Sequence, residues 1–198
     1  MTAELISVGT ELLMGNIVNS NTRFLAEKCA LLGFDMYYQV TVGDNYGRMK
    51  DVIETALKRS DLIILTGGLG PTEDDLTKEV CAAVMGMELV EDPHTRKHLE
   101  AFFVNNIYRE IPENNWKMAT VPKGALVLDN HNGMAPGLIL EREGKAAILL
   151  PGPPGELYPM FNDQVFPWLQ KRQQSVLVSR MVKSADAARA RWRTGYWT

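Results

Sequence analysis

The stretch TGGLGPTEDDLT at residues 66–77 decides the fold, because it joins a buried strand to a helix through a glycine-rich loop. It follows the apolar run LIIL at residues 62–65 and leads into a helical pattern at residues 76–85. Gly67, Gly68 and Gly70 carry no Cβ, so the backbone can approach a ligand closely. The loop amides and the positive end of the helix dipole can then face anionic oxygens. The loop therefore predicts a phosphate site at the end of a strand.

Two adjacent carboxylates, Asp74 and Asp75, arrive in the same loop just before the helix. Carboxylates beside a phosphate site indicate a divalent cation between them. The alternative interpretation is structural, with Asp74 as the N-cap of the helix and the glycines as a tight turn. The strand before the loop, the helix after it, Thr72 and the acidic pair together favour a phosphate-and-metal site.

Strands and helices alternate from the first residues onward. The sequence pattern predicts strands at residues 5–8, 34–42 and 62–65 and helices at residues 19–32, 49–57 and 76–85. This order implies a parallel sheet with right-handed crossovers and helices on both faces. Ligands bind such sheets outside the carboxyl ends of the strands. Thr10 and Glu11 follow the first strand, so we expect them to face the same crevice as the loop at residues 66–75.

The second half of the chain predicts a mixed continuation of the sheet. A polar helix is expected at residues 93–108, followed by an irregular connector at residues 111–116. Three short strands are expected at residues 125–128, 138–141 and 146–150, the last two joined as a hairpin through Gly144. The proline-rich turn PGPPG at residues 151–155 then opens a helix expected to run from 156 to about 170.

Composition is typical of a soluble enzyme and excludes several other classes of protein. Of the 198 residues, 45% are apolar, which is enough to form a buried core. The net charge of −3 does not indicate the excess of positive charge that binds nucleic acid. The apolar runs are too short to span a membrane, and the N-terminus enters a strand without the features of a signal peptide. Cys29 and Cys81 have no ligand spacing and are expected to be thiols in a reducing cytoplasm.

Four motifs occur in a fixed order along the chain, and together they resemble one family. They are GTELLMGNIVNSN at residues 9–21, TGGLGPTEDDLT at 66–77, NGMAPG at 132–137 and LPGPPGEL at 150–157. The chain is similar over residues 4–183 to the N-terminal domain of the CinA family, the competence- and damage-inducible proteins, a domain of the molybdopterin-binding MoaB/Mog-like superfamily. The resemblance implies a three-layer α/β/α fold with a mostly parallel, partly mixed sheet. It also implies ADP-ribose pyrophosphatase activity with a divalent metal, Mg²⁺ first of all, on a small nucleotide substrate, and members that self-associate.

The resemblance also implies roles for particular residues. The residues matched to the family motifs are the metal-binding and catalytic pair Asp74 and Asp75, the catalytic carboxylate Glu11, and the phosphate- and nucleotide-binding residues Thr10, Asn19, Asn21, Gly67, Gly68, Gly70, Gly152 and Pro153. Thr66, Thr72 and Gly137, which lie in the same motifs, complete the expected phosphate- and nucleotide-binding set. Several of these have a structural alternative. Glu11 can be an exposed acid at a helix start, the two asparagines can cap the first long helix, and PGPPG can simply start a helix with proline at its first position. His94 and His98 share a helix face but have no third ligand, so a solvated face is favoured over zinc.

Two positions depart from the family pattern. Met134 stands where the family usually has Thr, and Met118 where it usually has Gln, so each replaces a hydrogen-bonding side chain with an apolar one. Three functions therefore remain open at this point. They are hydrolysis of the pyrophosphate bond of ADP-ribose or a related nucleotide, a pterin- or nucleotide-binding module of the molybdenum-cofactor type, and a catalytically silent binding domain.

The C-terminal end changes character. Residues 1–170 are expected to form the CinA-like domain, residues 171–183 the start of an incomplete second domain with a strand at 175–183, and residues 184–198 an aberrant, disordered tail. A back-translation of the tail, shifted by a single restored nucleotide, reads ICGRRESKVEDRVLD, which resembles the family's continuation. We therefore expect a frameshift near residue 183, with the family's C-terminal nicotinamide-mononucleotide deamidase domain missing. The alternative is a genuine short tail.

Overall fold

The computed structural model of the chain describes residues 1–105 and 111–172. Within them the strands are β1 (Thr2–Val8), β2 (Asp35–Val42), β3 (Leu62–Thr66), β4 (Leu89–Glu91), β5 (Thr120–Pro122), β6 (Leu126–Leu128), β7 (Gly137–Arg142) and β8 (Lys145–Leu150). The α-helices are α1 (Thr10–Leu13), α2 (Ser20–Leu31), α3 (Tyr46–Arg59), α4 (Thr77–Val84), α5 (Pro93–Asn105), α6 (Pro154–Met160) and α7 (Phe166–Arg172). A 3-10 helix lies at Glu113–Ala119, and a π-helical segment at Phe161–Val165 joins α6 to α7.

A six-stranded sheet in the order β2-β1-β3-β8-β7-β6 forms the centre of the fold. Strands β2, β1, β3 and β8 are parallel to one another, whereas β7 pairs antiparallel with β8 and β6 antiparallel with β7. The hairpin between β7 and β8 turns at Glu143 and Gly144, both with positive φ. The predicted sheet, parallel at first and mixed at the end, is confirmed.

The sheet is covered by helices on both faces, which makes the three-layer α/β/α fold. Alternate residues of each strand point to opposite faces, and two hydrophobic clusters result. Ile6 of β1 and Leu65 of β3 belong to the cluster that contains residues of α3, α4 and α5, whereas Leu5 and Ile64 belong to the cluster that contains residues of α2, α6 and α7. Strand β3 is buried along its whole length, as its uninterrupted apolar sequence predicts for a central parallel strand.

Several elements differ from the sequence prediction. The short helix α1 was not expected, and β1 and α3 each begin three residues before the predicted start. The expected irregular connector at residues 111–116 is wrong, because a 3-10 helix follows Pro112; its buried Asn115 and Met118 are three residues apart and so share one face. The single helix expected at residues 156–170 is interrupted by the π-helical segment that follows Pro159, which has no N–H to donate to the helix. The antiparallel pair of β4 and β5 was not expected at all.

Several predictions concern residues beyond those that the structure describes. The end of the helix expected at residues 93–108 falls partly there, since α5 is described as far as Asn105. Helix α7 continues to Arg172, past the domain boundary expected at residue 170. The strand expected at residues 175–183 and the tail at residues 184–198 lie outside the described residues. In the described part of the chain, no helix combines the length and hydropathy needed to cross a membrane.

Both cysteines are core residues. Cys29 on α2 and Cys81 on α4 are fully buried, one in each hydrophobic cluster. Burial raises the pKa of each thiol from 9.0 to about 12, because the apolar surroundings disfavour the charged thiolate. The reactive form is the thiolate, so the folded protein holds both thiols in the unreactive form at neutral and mildly alkaline pH.

We therefore expect neither cysteine to react with a thiol reagent while the protein is folded. At pH 8 the native chain should release almost no thionitrobenzoate from Ellman's reagent over the time in which the urea-unfolded chain reacts completely. Rapid labelling of the native protein at either position, located by mass spectrometry, would contradict the burial of that residue.

Candidate functional site

A cleft of about 610 Å³ opens at the carboxyl ends of the central parallel strands. Its walls come from the segments that follow β1, β3 and β8, from Asp44 after β2, and from Met118, Met134 and Ala135. The sheet order changes direction here, since β2 lies on one side of β1 and β3 on the other. Doubly wound sheets bind ligands at such a point, and the volume is within the usual range for small-molecule sites.

Most of the residues singled out from the sequence line this cleft. They are Glu11, Asn19, Asn21, Thr66, Gly67, Gly68, Gly70, Thr72, Asp74, Asp75, Gly152 and Pro153. Thr10 and Gly137 do not line it. The main-chain N–H and the hydroxyl of Thr10 donate to Asp44 Oδ2 at 2.8 and 3.0 Å, so Thr10 supports a cleft residue from behind. Gly137 begins β7, where a Cβ would lie 2.4 Å from Met160 Sδ, so the glycine serves packing.

The glycine loop is held in place by main-chain bonds on both sides. The N–H of Gly67 donates to the carbonyl of Leu150 on β8 at 3.0 Å. On the other side, Thr77 at the start of α4 donates its hydroxyl to Gly67 O at 2.8 Å and its N–H to Gly68 O at 3.1 Å. Gly67 has φ +99°, and a Cβ there would lie 2.3 Å from Val8 O. Both the backbone conformation at position 67 and the lack of space beside it therefore require glycine.

The two aspartates of the loop have different surroundings. Asp75 Oδ2 accepts from the N–H of Thr72 at 2.9 Å and from its hydroxyl at 2.6 Å, which closes a short turn. Helix α4 begins only at Thr77, with Leu76 at the N-cap position and no side-chain cap. Asp74 is exposed and has no hydrogen-bond partner among the described residues, so the alternative that Asp74 caps the helix is wrong. Its carboxylate remains available to a ligand.

The asparagines connect the first motif to the other cleft loops. Asn19 does cap α2, since its side chain accepts from the N–H of Thr22. Asn21 instead donates through Nδ2 to Thr66 Oγ1 at 3.0 Å and to the carbonyl of Gly152 at 2.7 Å. Asn21 Oδ1 is buried without a partner. Asn21 thus ties the glycine loop to the PGPPG turn, a role that capping does not explain.

Two further carboxylates line the cleft and were missed in the sequence. Asp44 follows β2, and Glu156 lies in the first turn of α6, where it accepts from Asn130 Nδ2 at 2.6 Å. A signal for each was present. Asp44 occupies the same kind of position after a parallel strand as Glu11, and Glu156 directly follows the proline-rich turn.

The side-chain charges that line the cleft are all negative. Five carboxylates face it, on Glu11, Asp44, Asp74, Asp75 and Glu156, and none of the described lining residues is Lys, Arg or His. These oxygen donors are the kind that Mg²⁺ prefers. Within the described residues no three acidic, histidine or cysteine side chains are clustered to hold a metal by themselves. Mg²⁺ usually keeps several waters and shares phosphate oxygens, so the donor set fits an ion bound together with a phosphate ligand.

The two departures from the family pattern lie on the same side of the cleft. Met118 in the 3-10 helix is 1% exposed and Met134 is partly buried, and both pack in the cluster under α4 and α5 while touching the cleft. That wall is therefore apolar at these two positions. His94 Nε2 pairs with Asp129 Oδ1 at 2.6 Å, and His98 Nε2 lies 3.3 Å from the carbonyl of Gly133. The pairing with Asp129 raises the pKa of His94.

Comparison with known proteins gives consistent matches. Residues 4–171 match the family described as "Probable molybdopterin binding domain". The chain is 53% identical over 183 residues to a protein of Caldicellulosiruptor bescii and 50% identical over 185 residues to one of Clostridium beijerinckii, both of which carry the name competence-damage inducible protein. Each match covers 92% of this chain but 44% of the relative. The chain thus spans less than half the length of these curated relatives.

Solved structures agree with the sequence matches. A CinA protein of unknown function from Thermoplasma acidophilum superposes with a TM-score of 0.76 at 32% identity, covering 82% of this chain and 95% of that one. The molybdopterin biosynthesis enzyme MoaB from Thermus thermophilus superposes with a TM-score of 0.54 at 16% identity, covering 86% of this chain and 96% of the other. At that identity the second match shows the fold alone.

Proposed function

Because the chain belongs to the molybdopterin-binding domain family, in the form that CinA proteins carry, we propose that its cleft binds a nucleotide diphosphate and hydrolyses the pyrophosphate bond. The substrate class is ADP-ribose or a related dinucleotide, and the products are AMP and ribose 5-phosphate. A divalent cation, Mg²⁺ first of all, accompanies the substrate.

The observation that carries the proposal is the composition of the cleft. It combines a glycine loop suited to an anion with carboxylates and, in the described lining, no cationic side chain. A diphosphate anion entering alone would meet only like charge from these side chains. A cation from solution would offset this repulsion, and the exposed carboxylate of Asp74 and the free oxygen of Asp75 would hold it.

Each group then has a defined task in the hydrolysis. The bound cation would supply neutralisation of the negative charge that develops on the phosphoryl oxygens. The main-chain amides of the loop at residues 67–70 stabilise the same charge by hydrogen bonding. Glu11 orients a water molecule and accepts its proton as the water oxygen bonds to phosphorus. The bridging P–O bond breaks, and the leaving phosphate oxygen takes up a proton from solvent.

The proposal is tested by product analysis. We expect the purified chain with ADP-ribose and Mg²⁺ to yield AMP and ribose 5-phosphate in equal amounts by ion-exchange chromatography. Chelation with EDTA should abolish the reaction, because without the cation the diphosphate is repelled by the acidic cleft. Absence of AMP across a panel of Mg²⁺, Mn²⁺ and Co²⁺ would overturn the hydrolase assignment.

A second candidate function is binding of a pterin phosphate, and the family description favours it. The same loop could hold the terminal phosphate of molybdopterin, with the partly buried Met134 beside the ring. Incubation with ADP-ribose and with molybdopterin in parallel separates the two functions, since a hydrolase consumes ADP-ribose whereas a pterin-binding module retains molybdopterin unchanged.

The apolar side chain of Met118, which replaces an amide of the family pattern, favours the third possibility, a silent binding domain. Calorimetry with ADP-ribose and Mg²⁺ would then detect binding without turnover.

A further inference from the structure

The turn that carries the acidic pair is held from behind by a lysine that does not line the cleft. Lys117 Nζ donates to the carbonyl of Thr72 at 2.8 Å and also to the carbonyl of Asp75. The Asp75 carboxylate closes the same turn by accepting from Thr72. One ammonium group thus joins the main chain at both ends of the turn that includes Asp74. Because Lys117 is absent from the lining of the cleft, it acts on this turn and not on a ligand.

The lysine is itself fixed by a second lysine. Lys78, in the first turn of α4, is 6% exposed and donates its Nζ to the carbonyl of Lys117 at 2.6 Å. Glu79 Oε1 lies 3.6 Å from Lys78 Nζ and 4.0 Å from Lys117 Nζ, so one carboxylate lies between the two lysines. The 3-10 helix, the start of α4 and the acidic turn are therefore joined in one small network.

The geometry of the peptide unit determines which way the main-chain groups of the acidic turn point. In a trans peptide the carbonyl of one residue and the N–H of the next point in opposite directions, and the described residues contain no cis peptide bond. With the carbonyls of Thr72 and Asp75 turned toward Lys117, the N–H groups of Glu73 and Leu76 point away from it. Rotation of either peptide would break a bond to the ammonium group, and rotation of the Thr72–Glu73 peptide would also break the bond from the N–H of Asp75 to the carbonyl of Thr72, which holds the turn closed.

We infer that Lys117 is a positioning residue for the acidic pair, and that it sets how well Asp74 and Asp75 hold a divalent cation. This inference deepens the proposed function and rests on it for its role in catalysis. Supporting residues of this kind typically change metal affinity by about ten- to a hundredfold when they are lost. Lys117 touches neither water nor phosphate in the reaction, so its effect is on the metal requirement.

The test compares Lys117→Met with Lys117→Arg and with Lys123→Met. Methionine retains the length of the side chain but removes every donor, whereas arginine keeps charge and donors. Lys123 is the control, because it is a largely exposed lysine whose ammonium group pairs with Glu88 on the surface. Binding of Mn²⁺ in the presence of saturating α,β-methylene ADP, a diphosphate that is not hydrolysed, is read by electron paramagnetic resonance, and thermal unfolding by circular dichroism.

We expect Lys117→Met to weaken Mn²⁺ binding at least tenfold, Lys117→Arg to recover most of it, and Lys123→Met to leave it unchanged. In the hydrolysis assay the Mg²⁺ concentration for half-maximal rate should rise by a similar factor, while KM for ADP-ribose at saturating Mg²⁺ changes little. If Lys117→Met binds Mn²⁺ like the wild type, or merely unfolds at a lower temperature with an unchanged metal requirement, the inference is overturned. Should Lys117→Met fail to fold, Lys117→Gln takes its place with the same expectations. Because Mn²⁺ binding is measured without turnover, a failed hydrolase assignment leaves this result interpretable.

Discussion

Replacing Asp74 and Asp75 together by asparagine is expected to reduce Mg²⁺-dependent AMP release on the order of a thousandfold or more, which corresponds to about 4 kcal/mol of transition-state stabilisation. The change removes two negative charges from the turn and with them the side chains assigned to the cation. The turn itself should persist, because both donors from Thr72 bond to a single oxygen of Asp75, and an asparagine carbonyl oxygen can accept both. Far-ultraviolet circular dichroism of the double variant should therefore match that of the wild type.

Glu73→Gln is the matched control for this experiment. Glu73 lies in the same turn and is exposed, but it does not line the cleft. Its substitution should alter turnover by no more than about twofold, as is usual for surface changes. The single variants Asp74→Asn and Asp75→Asn then separate the two contributions to the loss of activity. Asp74 has no hydrogen-bond partner among the described residues, whereas Asp75 also closes the turn. Full activity in the double variant, or an equal loss in Glu73→Gln, would exclude the acidic pair as the metal site.

Gly67→Ala is expected to cause a large loss of stability, about 3 kcal/mol or more in the free energy of unfolding. The residue has φ +99°, which L-residues rarely adopt, and the added Cβ would lie 2.3 Å from Val8 O. Val8 O is a backbone atom at the end of β1, and the Cβ would be fixed directly to the backbone at residue 67, so no flexible side chain can move aside to relieve the overlap. Urea unfolding followed by circular dichroism measures the change.

Gly124→Ala isolates the conformational part of that cost. Gly124 has φ +85°, and a Cβ there would meet nothing within 4 Å. Its substitution should therefore cost only about 1 kcal/mol, from the positive φ alone. The difference between the two variants reports the close approach of the glycine loop to β1. If both variants are destabilised equally, the steric argument for Gly67 is wrong.

The sequence was sufficient to predict the central strands and the long helices. Buried parallel strands such as β3 are short apolar runs, α2 begins at the side-chain cap Asn19 near its predicted start, and the predicted helix at residues 49–57 lies inside α3. These signals are local, so they can be read without knowledge of the rest of the fold. The elements that were missed have no such signal. Strands β4 and β5 have three residues each and pair across about thirty positions of the chain.

The same distinction applies to the site. The glycine loop and the acidic pair were recognisable because the residues that form them are consecutive. Lys117 was not, because its bonds to Thr72 and Asp75 join positions 45 and 42 residues apart, and a lysine in a polar segment normally indicates solvent exposure. The place of Glu156 after the proline-rich turn was a local signal, but its bond from Asn130 is a contact of the long-range kind. Local patterns predict which strands and loops can form a site, whereas tertiary contacts decide which side chains support it.

The uniformly acidic lining of the cleft also has a kinetic consequence. Charges of one sign around a concave opening create a field that extends into solvent and steers the approach of ions. This field would repel a free diphosphate and attract a cation. It would repel a nucleotide less once a bound cation has reduced the charge of the nucleotide. Salt shortens the range of the field to about 8 Å at physiological ionic strength. Added salt should accordingly speed the encounter with free nucleotide and slow the encounter with metal ions, so the order in which the two ligands arrive would depend on ionic strength.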